Sequence, residues 1–233
     1  MSSPQERYKR NSKTISLEEQ QVMAGTTITV IGCGGLGGFI IEGLARSGVG
    51  TLRLVDFDTF DVSNLVKASR KHGVKFNALL CWCIGKAATQ TEEFYILPEN
   101  GKLFQYDCIA VNVIVNNIKG GINSCDIPYT DDMKGFLREY DTLTKKVSTE
   151  CKSTFLEDHM IVGTSAMIQT ELDSIVNQYT DMFCNPMVMW GKYRKHWFKT
   201  TLPISFQFHH TQMDGAHAAT FLADLQHEIK RLA

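Results

Sequence analysis

The sequence has almost no net charge: 24 lysines and arginines against 25 aspartates and glutamates leave a formal −1. So balanced a chain has no cationic field for a polyanion, which excludes nucleic acid and an anionic membrane as principal partners. No apolar run approaches the ~20 residues that a bilayer span needs. The start, MSSPQERYKRNSK, is polar and lacks a signal-type apolar core, so the cytoplasm is the expected compartment. The seven cysteines form no C-x-x-C pair, and the nearest two, Cys81 and Cys83, fall in an apolar stretch. That excludes a zinc cage and favours buried free thiols, and no metal is expected. With five prolines and no low-complexity segment, no linker marks a domain boundary. What is present is apolar residue enough, 43% of 233, for one large core or two small ones.

The β-branched run Thr26 to Ile31 breaks into Gly32-Cys33-Gly34-Gly35-Leu36-Gly37-Gly38. Phe39 to Arg46 then has apolar residues at helical spacing, and Thr51 to Val55 reads as a strand ending at Asp56. Together these form one β-loop-α-β unit. Further on, Phe76 to Ala88 reads as a largely buried helix, Phe94 to Tyr106 as a hairpin, and Ile109 to Val115 as a strand. Asp131 to Glu150 is amphipathic and helical. Met160 to Val162, Met187 to Trp190 and the alternating Leu202 to His209 are strands, and Ala216 to Leu232 is a closing helix. The class is α/β or α+β, without regular βαβ alternation in the last two thirds.

Gly32, Gly34 and Gly37 have the G-x-G-x-x-G spacing between strand and helix, where backbone N–H groups can approach a phosphate. Asp56 closes the second strand, where a ribose hydroxyl needs an acceptor. A glycine turn that merely packs a helix on a strand is the plainer alternative. The wider set Arg7 to Arg10, Gly32 to Gly38, Gly48-Val49-Gly50, Asp56-Phe57-Asp58 and Asp61 to Leu65 resembles the opening of the ThiF/MoeB/E1-type adenylyltransferases, over about residues 5–65. That resemblance implies ATP, with Asp56 on the ribose, the glycine loop at the phosphates, and Asn64 and Arg10 near the triphosphate. The family follows Asn-Leu with Arg-Gln. This chain has Val66-Lys67-Ala68 and no later metal-binding aspartate, so adenylation itself is not expected.

His209-His210-Thr211-Gln212-Met213-Asp214-Gly215 sits where an alternating strand stops and a helix begins. An imidazole there can take a proton from a hydroxyl near neutral pH, and a carboxylate four residues on can stiffen the turn. Other histidines, His159, His196, His217 and His227, show no ligand spacing. Lys75 to Ala78, Glu93-Phe94, Asn100-Gly101-Lys102, Pro186, Trp190-Gly191-Lys192-Tyr193, Leu202-Pro203-Ile204 and the His209 to Gly215 stretch together resemble the chloramphenicol acetyltransferases, from about residue 61 onward. The resemblance implies a two-layer α/β acyltransferase sandwich with an N-terminal Rossmann-like unit. It implies acetyl-CoA as co-substrate, a small-molecule hydroxyl acceptor, and a homotrimer with active sites between subunits. His210 would be the general base and Asp214 the aspartate that organises the site, with Lys192 and Tyr193 bordering the CoA channel.

Two departures accompany that resemblance. The family supplies a serine hydroxyl to the oxyanion, and an ungapped count back from His210 reaches Gly163 instead. Thr164 and Ser165 follow it, and on a strand only one of two neighbours can point inward. The family's upstream arginine, partner of the motif aspartate, is replaced by the glycine-loop segment. The division expected is 1–60 and 61–233. A CoA-dependent O-acyltransferase is the favoured function, and a ThiF-type ATP-binding protein or a catalytically silent binding protein remains open beside it.

Overall fold

The computed structural model describes residues 8, 11, 13–31, 35–99, 102–172, 175, 184–209 and 211–232, with the backbone alone at 31, 35–38, 54–58 and 99. In chain order the elements are α1 (Leu17–Ala24), β1 (Thr27–Ile31), α2 (Gly35–Ser47), β2 (Thr51–Asp61), α3 (Ser63–His72) and α4 (Phe76–Ala88). A short 3-10 helix (Glu92–Tyr95), β3 (Ile96–Glu99), β4 (Lys102–Gln105), β5 (Ile109–Asn116), β6 (Ile122–Pro128) and α5 (Met133–Glu150) follow. The remainder is β7 (Met160–Ala166), β8 (Met187–Trp190), β9 (Arg194–Lys195), β10 (Thr200–His209) and α6 (Gly215–Arg231).

One mixed sheet runs through the molecule in the order β1-β2-β10-β8-β7-β5-β6, with β9 added beside β10. Residues paired across strands share a face, and one face carries most of the core: Leu52 and Phe60 of β2, Leu202, Ile204 and Phe206 of β10, Val188 and Trp190 of β8, Val162 of β7 and Val111 of β5 are all buried. The helices cover it. α4 is the innermost: most side chains from Ala78 to Ala88 are buried, as its largely apolar sequence requires, with Lys86 reaching out to Asp131. α6 offers a narrower stripe, Ala218, Phe221, Leu222, Leu225 and Ile229, and α5 another, Phe136, Tyr140, Thr144 and Val147.

β2 is longer than the sequence suggests. The expected strand, Thr51 to Val55, continues to Asp61 because the strand has two neighbours of different reach. Its first part pairs in parallel with β1, Thr27 opposite Thr51 through Ile31 opposite Val55. On its other edge β10 pairs antiparallel from Arg53 to Asp61, which holds the backbone extended past the point where β1 ends. The far end of β2 is clamped by α6. Gln226 accepts from the Asp61 N–H at 2.7 Å and donates to the Asp61 carbonyl at 3.1 Å.

Candidate active site

The site is built from the last residues of β10 and the first turn of α6. Leu202, Ile204, Phe206 and Phe208 alternate into the core. β10 stops at His209, whose Nδ1 accepts from the Thr211 N–H at 3.1 Å while its carbonyl accepts from the Gln212 N–H at 2.9 Å. Met213 and Gln212 turn inward and are buried. Asp214 is then the N-cap of α6, its Oδ1 accepting from the N–H groups of Ala216 at 2.9 Å and His217 at 3.1 Å. Asp214 thus places a carboxylate at the positive end of a 17-residue helix. His210 itself lies outside the described residues.

Thr164 and Ser165 divide as strand alternation demands. Thr164 faces the helices, 3% exposed, where its hydroxyl donates to the Asn112 carbonyl at 2.7 Å and meets the Cys81 thiol. Burial pushes that thiol up to about 12, the Thr164 bond acting in the opposite sense. Ser165 is on the other face and half-buried. Gly163 cannot be the expected serine, since the Met187 side chain fills the place of a side chain there. Both hydroxyls border a cleft of about 430 Å³ at the end of β7, lined by Thr164 and Ser165 together with Asn77, Cys81, Tyr140 and Trp190. Trp190 donates from its ring N–H to Asn77 at 3.4 Å. Lys192 is exposed, its backbone N–H bonded to the Thr170 carbonyl at 2.8 Å, and the Tyr193 ring lies 5.3 Å from Phe76.

Within one chain this cleft and the histidine motif are apart. Ser165 pairs with Met189 and Met189 with Ser205, and His209 is four residues beyond Ser205 on the same strand. Two strand spacings and four residues of rise separate Ser165 from His209 by roughly 16 Å.

Of the nucleotide-site candidates, Arg10, Gly32 and Gly34 lie outside the described residues, and Gly37 is in the first turn of α2. Asp56 falls opposite Phe206 in the sheet, one residue past the end of β1. Asn64 is elsewhere. The six steps of extended strand from Val55 to Asp61 carry the chain about 20 Å beyond the end of β1, and the Asn64 amide donates to the Lys230 carbonyl at 2.7 Å. It ties α3 to the end of α6.

Glu93 and His217 were not expected among the site residues. His217 was set aside for lack of ligand spacing, yet it occupies the third position after an N-capping aspartate, where a side chain folds back on the cap.

Residues 55–226 match the chloramphenicol acetyltransferase family model, and residues 8–70 match that of the ThiF family, so the two matches overlap over 55–70. Chloramphenicol acetyltransferase 3 of Escherichia coli is 25% identical over 174 residues, covering 71% of this chain and 80% of that protein. The tRNA threonylcarbamoyladenosine dehydratase of Bacillus subtilis (strain 168) is 43% identical over 58 residues, 25% of this chain and 23% of its own length. Among solved structures, a chloramphenicol acetyltransferase superposes with a TM-score of 0.65 at 19% identity, over 76% of this chain and 88% of its own.

Proposed function

The chain belongs to the chloramphenicol acetyltransferase family, and from that premise we propose that it is a CoA-dependent O-acyltransferase acting on a hydroxyl of a small molecule. The observation that carries this reading is the strand-turn-helix unit that delivers the His209 to Gly215 motif: β10 ends at His209 and Asp214 caps α6. On this reading His210 takes the proton from the acceptor hydroxyl. Asp214 keeps the turn that carries His210 in one conformation. Ser165, half-buried at the cleft, is the donor to the developing oxyanion, and Thr164, its hydroxyl committed to the Asn112 carbonyl, is structural.

Acetyl-CoA, when bound, supplies the thioester carbon that the acceptor attacks. The residues suit such a group: the cleft lining mixes polar Asn77, Ser165 and Thr170 with Met167 and Trp190, and exposed Lys192, bonded through its backbone to Thr170, offers an ammonium to a phosphate. A base and an oxyanion donor must both lie about 3 Å from the reacting atoms, and Ser165 and the histidine motif are too far apart for that within one chain. The complete site therefore forms between copies, as a homotrimer would provide. Residues 1–60, in this reading, are a structural unit completing the sheet, and 61–233 the acyltransferase unit.

The test is thiol release from acetyl-CoA across a panel of hydroxyl acceptors, with light scattering for mass. Acceptor-dependent release that disappears in His210→Ala, from a particle of three chains, is expected. Release indifferent to His210, or a monomer that turns over, would overturn the reading.

A further inference from the structure

We propose that Glu93 and His217 are the positioning residues of the histidine motif, fastening the turn between β10 and α6 to the 3-10 helix Glu92–Tyr95. This rests on the acyltransferase reading for its kinetic consequence, and on the geometry alone for the fastening itself.

Glu93 holds the turn at two places. Its backbone carbonyl accepts from the side-chain amide of Gln212 at 3.2 Å, and its carboxylate Oε1 lies 3.1 Å from His217 Nε2. Gln212, between His210 and Asp214, is 6% exposed, so this amide contact is shielded from water. His217 reaches back to the cap. Its Nδ1 lies 3.3 Å from the Asp214 N–H and 3.2 Å from Asp214 Oδ1.

At Nδ1 the neutral ring faces two groups of opposite demand, the Asp214 N–H, which can only donate, and Asp214 Oδ1, which can only accept. Glu93 decides between them: its carboxylate claims the ring proton at Nε2, which leaves Nδ1 to accept from the Asp214 N–H. Glu93 therefore selects the form of His217 that can hold the motif aspartate. The 3-10 helix is itself immobilised by its next residue. Phe94, fully buried, packs its ring 4.8 Å from Phe221 of α6 and 6.0 Å from Phe206 of β10, so the anchor is bolted to the same two elements whose junction it fastens.

Two measurements on the full-length protein test this. First, hydrogen exchange at the Asp214 amide and the nitrogen shifts of His217 report the fastening whether or not the protein turns over. The wild type is expected to show protected Asp214 and an Nε2–H ring. His217→Ala and Glu93→Ala should each lose at least tenfold in protection at Asp214, whereas His217→Gln, which keeps an acceptor and a donor, should retain it. Second, in acceptor-dependent thiol release, His217→Ala should lower kcat at least tenfold with KM for acetyl-CoA within twofold, and His217→Gln should stay within threefold of wild type. An unprotected Asp214 amide or an Nδ1–H ring in the wild type overturns the fastening. An Ala variant of unchanged thermal midpoint and unchanged kcat overturns the positioning role. Absence of turnover in the wild type removes the acyltransferase reading alone, and the exchange and shift measurements then decide the fastening.

Discussion

Arg53 and His209 stand opposite one another as the last pair of the β2–β10 ladder. Arg53 precedes the first residue of the acyltransferase family match, and His209 opens that family's motif. The strand that flanks the motif thus begins in sequence outside the family match. Since β10 pairs with β2 over Arg53 to Asp61, the N-terminal segment supplies an inner strand of the sheet.

The two ends of that segment should tolerate deletion differently. Removing residues 1–48 takes away β1 and α2 and leaves β2 as an edge strand. Removing 1–60 strips β10 of its neighbour and uncovers the apolar face around Phe206 and Phe208. The shorter cut should stay soluble with a thermal midpoint lowered by about 5 °C or less, and the longer should aggregate. Soluble yield and a melting curve for both decide it. Equal loss would mean that β1, α2 and β2 stand or fall together.

Replacement of the two motif histidines should be asymmetric. His210→Ala should lower acceptor-dependent thiol release by ~10²–10⁴-fold. His209 has its Nδ1 taken by the Thr211 N–H, so His209→Ala should loosen the turn and cost less than about tenfold. The reverse order in folded proteins would move the base to His209.

Thr164→Val and Ser165→Ala should separate stability from catalysis. The Thr164 hydroxyl is buried against the Asn112 carbonyl, so its loss should cost about 1 kcal/mol in denaturant unfolding and leave kcat unchanged. Ser165 is half-buried at the cleft, and its loss should lower kcat by ~10²-fold at nearly unchanged stability. A fall in kcat for Thr164→Val alone would exchange the two roles.

ATP–pyrophosphate exchange should not be detectable with carboxylate acceptors. Asn64→Ala should weaken the α3–α6 junction by about 1 kcal/mol, through loss of the bond to Lys230, and leave any nucleotide affinity unaltered. Exchange that depends on Asp56 or Asn64 would restore the adenylating reading.

Cys81 should be inert in the native protein. Its thiol is pushed by burial from an ordinary value near 9 up to about 12, and burial raises Cys83 as well, so both should resist iodoacetamide at pH 8 while exposed Cys108 reacts. The linkage has a definite sign. A thiol ionising more readily unfolded than folded stabilises fully below pH 9, and that contribution falls as pH rises toward 12. Mass mapping after alkylation and urea midpoints at pH 8 and 10 check both statements.

The legible part of the fold was what local pattern controls. Phe76–Ala88 and Met187–Trp190 are found within the bounds that their apolar runs imply, and β10 and α6 differ from expectation by a residue or two. β6 was missed because INSCDIP does not alternate: only Cys125, Asp126 and Ile127 are deeply buried, and Asp126 is there by virtue of its bonds to the Asn112 amide and the Leu156 N–H. α3 was missed because SNLVKASRKH has few apolar residues, its stability coming from Leu65, Val66 and Ala68 against α4 and α6. The strand-to-helix junction at Asp214 is legible in the local pattern, whereas its capping of α6 is a finding of the structure. The grip of Glu93 on Gln212 and His217 was not legible, since it joins positions about 120 residues apart that only the folded core brings together.

A strand has two independent edges, and β2 gives one to β1 and the other to β10. Sequence from two protein families overlaps over 55–70, where that strand ends and α3 begins. A splice at such a place needs no hinge, because each ladder meets only the edge it already fits. The same property makes this strand a coupling for grafting: any parallel β-α-β unit ending in a strand that presents the β10-facing edge in register could be exchanged for residues 1–61 without redesign of the sheet beyond it.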